Sequence, residues 1–112
     1  MGLTAKAELD RVLAALADPH RRRLVELLRE RPRHAGDLAA ALGLNPPALS
    51  RHLRTLRMSG LIEESHPEFD ARVRVYTLRP KPMEHLKNWL QDTERLWSNQ
   101  PAAFNAHIER AR

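Results

Sequence analysis

The chain contains no cysteine. That absence removes disulfides, thiolate metal sites and cysteine nucleophiles together. No apolar run is long enough to cross a bilayer. The opening residues, MGLTAKAELD, lack a basic segment followed by an apolar one, and Lys6 stands where a myristoylation motif wants Ser or Thr. The expected location is therefore cytoplasmic, with no membrane partner. Internal repeats, low-complexity tracts and long linkers are missing as well. So are the signatures of an enzyme. The sequence has no glycine-rich phosphate loop, no nucleophile paired with a base and no close carboxylate pair in a motif context.

What remains is a chain of 112 residues, enough for one core, so residues 1–112 are read as a single domain. An apolar fraction of 42% argues against disorder. The formal net charge is +5, which suits an anionic partner. Its distribution is uneven. Residues 19–81 carry thirteen basic and seven acidic side chains, whereas residues 1–18 carry two and three, and residues 82–112 carry four of each. The positive excess belongs to the middle of the chain, and the ends have another task.

The spacing predicts a first helix from about Thr4 to Ala17, with Leu9, Val12, Leu13 and Leu16 on one stripe. Asp18-Pro19 reads as an N-cap with proline at the first helical position. The second helix then runs to about Arg31, turning Leu24, Leu27 and Leu28 inward, until Pro32 stops it. A short third helix, about Ala35 to Leu42, ends at Gly43, a residue suited to a left-handed turn. Asn45-Pro46 starts a fourth, to about Met58, whose buried stripe is Leu49, Leu53 and Leu56. Beyond Gly60 the period becomes alternating. Leu61–Ser65 and Arg72–Leu78 read as two strands around a loop at Pro67–Ala71. A last long helix follows Pro80 and Pro82. Leu86, Trp89, Leu90, Thr93, Leu96 and Trp97 share one broad face, which continues to Phe104 and Ile108 past a kink or break at Pro101.

The fold class expected is thus mainly α with a small β-hairpin: about five helices and a two-stranded wing, a winged helix-turn-helix. The fourth helix is the one that would lie in a DNA major groove. On a helical wheel Pro47, Ser50, Arg51 and Arg54 face away from its leucines, and these are the candidate base readers, since arginine can bond guanine in a bidentate manner. Candidate phosphate contacts are Arg21 and Arg22 at the start of the second helix, His52 and Arg57 on the fourth, and Arg72 and Arg74 in the wing. Blander readings stand beside these. Arg51, Arg54 and Arg57 can be a solvated helix face, Arg21–Arg23 a solvated turn, Arg72 and Arg74 charges that protect an edge strand, and His52 a partly buried packing residue. A winged-helix module for protein association or RNA binding, without operator recognition, is the alternative function.

The segments ALADPHRRRLVELL, LAAALGLNPPALSRHLRTLRMSGLIEE and RVRVYTL resemble the ArsR-type bacterial repressors over nearly the whole chain. The resemblance implies a winged-helix fold, homodimerisation through the first and last helices, and repression by binding double-stranded operator DNA. It places the recognition helix at 46–58, with Ser50, Arg51 and His52 in the SRH signature, and the wing at about 63–78. The dimer interface would use Leu9, Val12, Leu13, Leu16, Trp89, Leu90, Leu96, Trp97 and Phe104, from segments near 4–17 and 82–110. A small core should not leave so many large apolar side chains to solvent. Family members that sense metals use cysteines, often in the third helix, or paired Asp and His on the last. Here the third helix reads AGDLAAALG, and Leu96 and Trp97 stand where a second His should follow His85. His85, Asp92, Glu94, His107 and Glu109 are read as scattered surface groups. The expectation is no metal and no cofactor, and the residues name no inducer.

Overall fold

The computed structural model describes residues 4–67 and 72–98. Five helices and three short strands follow one another: α1 (Ala5–Leu16), α2 (Pro19–Glu30), β1 (Arg33–His34), α3 (Ala35–Leu42), α4 (Pro46–Met58), β2 (Ile62–Ser65), β3 (Val75–Leu78) and α5 (Pro80–Ser98). The helix starts are chemically marked. Thr4 Oγ1 accepts from the Ala7 N–H, Asp18 from His20 and Arg21, and Asn45 from Ala48. Each cap satisfies donors that have no partner inside the helix. Pro19 and Pro46 occupy the first helical positions, where the missing N–H is of no consequence.

Two glycines close helices in the left-handed region. Gly43, at φ 66°, ends α3, while Leu44 N–H reaches back to Ala39 O at 3.1 Å. Gly60, at φ 81°, follows α4 and lets Leu61 N–H bond Leu56 O at 3.2 Å. Each turn is tight because only glycine takes such a φ without strain.

The core lies between α1–α4 and the sheet. Leu24, Leu38, Leu56 and Leu61 are fully buried, with Val12, Leu28, Leu49, Leu53, Ile62 and Tyr76 packed beside them. Among the described residues no polar or charged residue is buried. Full burial of one leucine contributes about 1.5–3 kcal/mol, so the stripe Leu49–Leu53–Leu56 is what fixes the rotation of α4.

The hairpin expected as two strands belongs to a three-stranded antiparallel sheet of order β1-β3-β2. Arg33 faces Tyr76 and His34 faces Val75 on one side of β3; Ile62 faces Leu78 and Ser65 faces Val75 on the other. β3 begins at Val75 rather than Arg72, and α5 begins at Pro80 rather than after Pro82. Proline tolerates the first turn of a helix, so neither Pro80 nor Pro82 delays it. Met83 and Leu86 rest partly buried on the core. Beyond them α5 has no buried residue among those described. Pro101, Phe104, His107, Ile108 and Glu109 lie outside the described residues, as does the tip of the wing.

Candidate nucleic-acid interface

α3, the turn Gly43-Leu44-Asn45 and α4 form a helix-turn-helix, and β2 and β3 follow as a wing. Because Leu49, Leu53 and Leu56 are buried, the opposite face of α4 is set. Pro47, Ser50, Arg51 and Arg54 are all exposed on it. The residues expected to read bases therefore share one solvent-facing surface on one rigid helix. That is the arrangement required of a helix whose N-terminal half enters a major groove.

The cations around this face divide into exposed and anchored groups. Arg21 is anchored. Its Nε donates to Ala15 O at 2.7 Å and its Nη2 to Ala14 O at 3.4 Å, while Arg22 Nη1 donates to Leu16 O at 2.8 Å. These carbonyls belong to the last turn of α1, where Ala14 O also accepts the Ala17 N–H at 3.2 Å, so two arginines of the next helix help cap the previous one. The sequence carries a hint of this: α1 ends without a glycine, and DPHRRR follows at once. Arg22 is nonetheless exposed, as is Arg23, whose guanidinium lies 3.9 Å from Glu26.

His52 is half-buried and turned toward α2 rather than outward. Its Nδ1 lies 3.3 Å from Arg21 Nη1, and its ring packs at 5.4 Å, tilted, on His20. Arginine only donates, so Nδ1 is the acceptor in that contact. Burial lowers the His52 pKa most. Asp18 raises it, but Arg21, His20 and Arg51 add to the lowering, and the ring is held below the ordinary histidine value. For the Asp18 carboxyl, desolvation pushes upward, but the N–H groups of Arg21 and His20 together with nearby positive charge outweigh it and hold the pKa low. Asp18, His20 and His52 thereby place one ligand atom each within 4.8 Å of one another. No motif in the sequence announces this grouping.

The wing is joined to α4 through Glu64, which no sequence pattern singles out. Its carboxylate receives Arg57 Nη1 at 2.7 Å and lies 3.5 Å from Arg74 Nε and 3.8 Å from His66 Nε2. Arg57, Arg72 and Arg74 are exposed. Burial and then Glu64 raise the pKa of Tyr76 beneath this group.

The residues expected at a dimer interface are not all available. Val12 is 1% exposed and belongs to the protomer's own core, so its place on the α1 stripe is explained without a partner. Leu9 and Leu16 are half-buried, while Leu13 is exposed. On α5, Trp89, Leu90, Leu96 and Trp97 are all exposed, at 45–63%. Of the last-helix groups set aside as ligands, His85 lies 3.3 Å from Glu8 of α1, and Asp92 pairs with Arg95 at 3.0 Å.

A recognition helix held by a buried leucine stripe, followed by a two-stranded wing that carries Arg72 and Arg74, defines a winged helix-turn-helix DNA-binding protein. The comparisons with known proteins agree. Residues 18–64 match the description "bacterial regulatory protein, arsR family". The HTH-type transcriptional regulator Rv2034 of Mycobacterium tuberculosis is 36% identical over 100 residues, covering 89% of this chain and 88% of that protein. The transcriptional repressor SdpR of Bacillus subtilis is 27% identical over 82 residues, covering 73% of this chain and 88% of its own. An ArsR-like transcriptional regulator from Rhodococcus sp. RHA1 superposes with a TM-score of 0.76 at 26% identity, covering 98% of each chain. The chain belongs to the ArsR family of DNA-binding transcriptional regulators and is not an enzyme. Among the described residues no helix is long and apolar enough to cross a membrane.

Proposed function

We propose that this regulator is a homodimeric repressor that reads a palindromic operator in double-stranded DNA with α4 of each subunit. The observation that carries the reading is the two-faced α4: Leu49, Leu53 and Leu56 buried, Pro47, Ser50, Arg51 and Arg54 exposed. Ser50, Arg51 and Arg54 contact base edges, with Pro47 against the groove wall. Arg22, Arg57, Arg72 and Arg74 hold phosphates. Arg21 and His52 sit behind this face and set its position more than they touch the duplex. The exposed apolar side chains of α5, with Leu9, Leu13 and Leu16 alongside, supply the dimer contact. Similarity to a protein named as a repressor supports the sign of regulation, and a genomic DNA partner is consistent with a cytoplasmic location.

Selection from random duplex DNA tests operator recognition. It should return a two-fold-symmetric sequence with half-sites roughly 10 base pairs apart, or a multiple of that. Arg54→Ala should then lose about 1–3 kcal/mol on the selected operator, with relaxed preference at one or two base pairs per half-site, and much less on random DNA. Equal losses on both DNAs would reduce α4 to an electrostatic grip.

A further inference from the structure

We propose that Asp18, His20 and His52 form a binding site for a zinc-class divalent cation. Asp18 and His20 stand at the N-terminus of α2, and His52 comes from the middle of α4. One ligand atom of each lies within 4.8 Å of the other two. Tetrahedral coordination with bonds of about 2.0–2.2 Å asks for ligand separations of about 3.3–3.6 Å. The set must therefore contract by little more than one ångström. His20 can supply that movement, because its side chain is 49% exposed and turns about two single bonds without shifting either helix. The Asp18 carboxylate is already oriented: its Oδ1 accepts from His20 N–H at 2.8 Å and Arg21 N–H at 3.2 Å. Second contacts of this kind hold metal ligands in place. Two imidazoles and one carboxylate, with water in the open position, suit zinc or cobalt(II), whereas calcium and magnesium seek oxygen alone.

The same geometry says what the metal displaces. Arg21 Nη1 now uses His52 Nδ1 as its acceptor. A cation on Nδ1 removes that contact directly. A cation on Nε2 requires the ring proton to sit on Nδ1, which removes it as well. Either way binding releases Arg21 Nη1, while Arg21 Nε stays on Ala15 O. It also ties the recognition helix to the start of α2, one residue from Arg51. The expectation of no metal rests on the third and last helices. This group draws on neither, and its members meet only in the folded chain.

The test is a zinc titration of the purified, metal-free full-length protein in competition with a chromophoric chelator, repeated with cobalt(II) to read its ligand-field absorption. One zinc per chain is expected. His20→Ala and His52→Ala should each weaken binding by at least about tenfold, whereas His66→Ala and His85→Ala should leave it unchanged. His52→Gln keeps an acceptor for Arg21 and serves as the second variant if His52→Ala unfolds, as judged by circular dichroism. Absence of zinc uptake by the wild type, or uptake that survives intact in a folded His20→Ala or His52→Gln protein, overturns the proposal. The measurement involves no DNA, so its failure leaves the operator reading untouched.

Discussion

At the scale of single residues, His52 carries a pH signature that its surroundings dictate. Burial lowers its pKa first, and Arg21, His20 and Arg51 outweigh the opposing charge of Asp18. In the unfolded chain the ring titrates near its ordinary value of about 6.5. Below that pH the unfolded state takes up a proton that the folded state refuses, so the fold loses stability as pH falls, until the folded ring protonates too. Asp18 works in a separate, more acidic window. Its folded pKa is depressed, so its contribution is present above the unfolded carboxylate value of about 3.9 and is lost as pH falls through the folded one. We expect urea midpoints of the metal-free protein to fall on acidification below about pH 6.5, and His52→Gln, neutral throughout, to flatten that fall. An identical slope in wild type and variant would mean that His52 titrates alike in both states.

At the scale of elements, Glu64 decides how freely the wing and the end of α4 present their charge. Its side chain is 16% exposed, against 42% for Arg57 and 59% for Arg74. Pairs this open add only about 0–1 kcal/mol each to stability, so Glu64→Gln should hardly change the melting temperature. It should instead release Arg57 and Arg74 toward phosphates. Binding to random DNA should then tighten, and the slope of log affinity against log salt should steepen by about one unit for each phosphate newly engaged. The ratio of operator to random affinity should narrow. Unchanged salt dependence would show that Arg57 never reaches the backbone. What the sequence revealed of these elements follows the range of each interaction. The caps at Asp18 and Asn45 and the turn at Gly43 were legible because each bonds within a few residues. The exposed face of α4 was legible because a 3.6-residue period separates Ser50 and Arg54 from Leu49 and Leu53. β1 was not, since two residues carry no period and Arg33–His34 becomes a strand only by pairing with Tyr76 and Val75. Arg21 looked like an outward cation, and His52 stood open between a phosphate contact and a packing residue, for the same reason: their partners, Ala15 O and each other, are set by how α1, α2 and α4 pack.

At the scale of the whole molecule, α5 is the element the protomer does not use up. Among the described residues of α5, Met83 and Leu86 rest partly buried on the core, while Trp89, Leu90, Leu96 and Trp97 are exposed. Four large apolar side chains on one helix exceed what a monomer ordinarily exposes, and a self-complementary contact about a two-fold axis would cover them. The same axis would present two copies of α4 to one face of a duplex, so dimerisation and operator binding should fail together. Leu90→Glu separates the steps. Leu90 is 52% exposed, so the change should leave the protomer's fold intact while placing like charges in the proposed interface. Sedimentation should show a dimer for the wild type and a monomer for the variant. Affinity for the full operator should fall by about a hundredfold or more, because the second half-site loses its effective concentration. Affinity for an isolated half-site should stay the same. The salt slope should drop to about half, since one subunit makes half the phosphate contacts. A Leu90→Glu protein that still sediments as a dimer would move the interface off this face of α5. A monomer that keeps full operator affinity would separate dimerisation from recognition altogether.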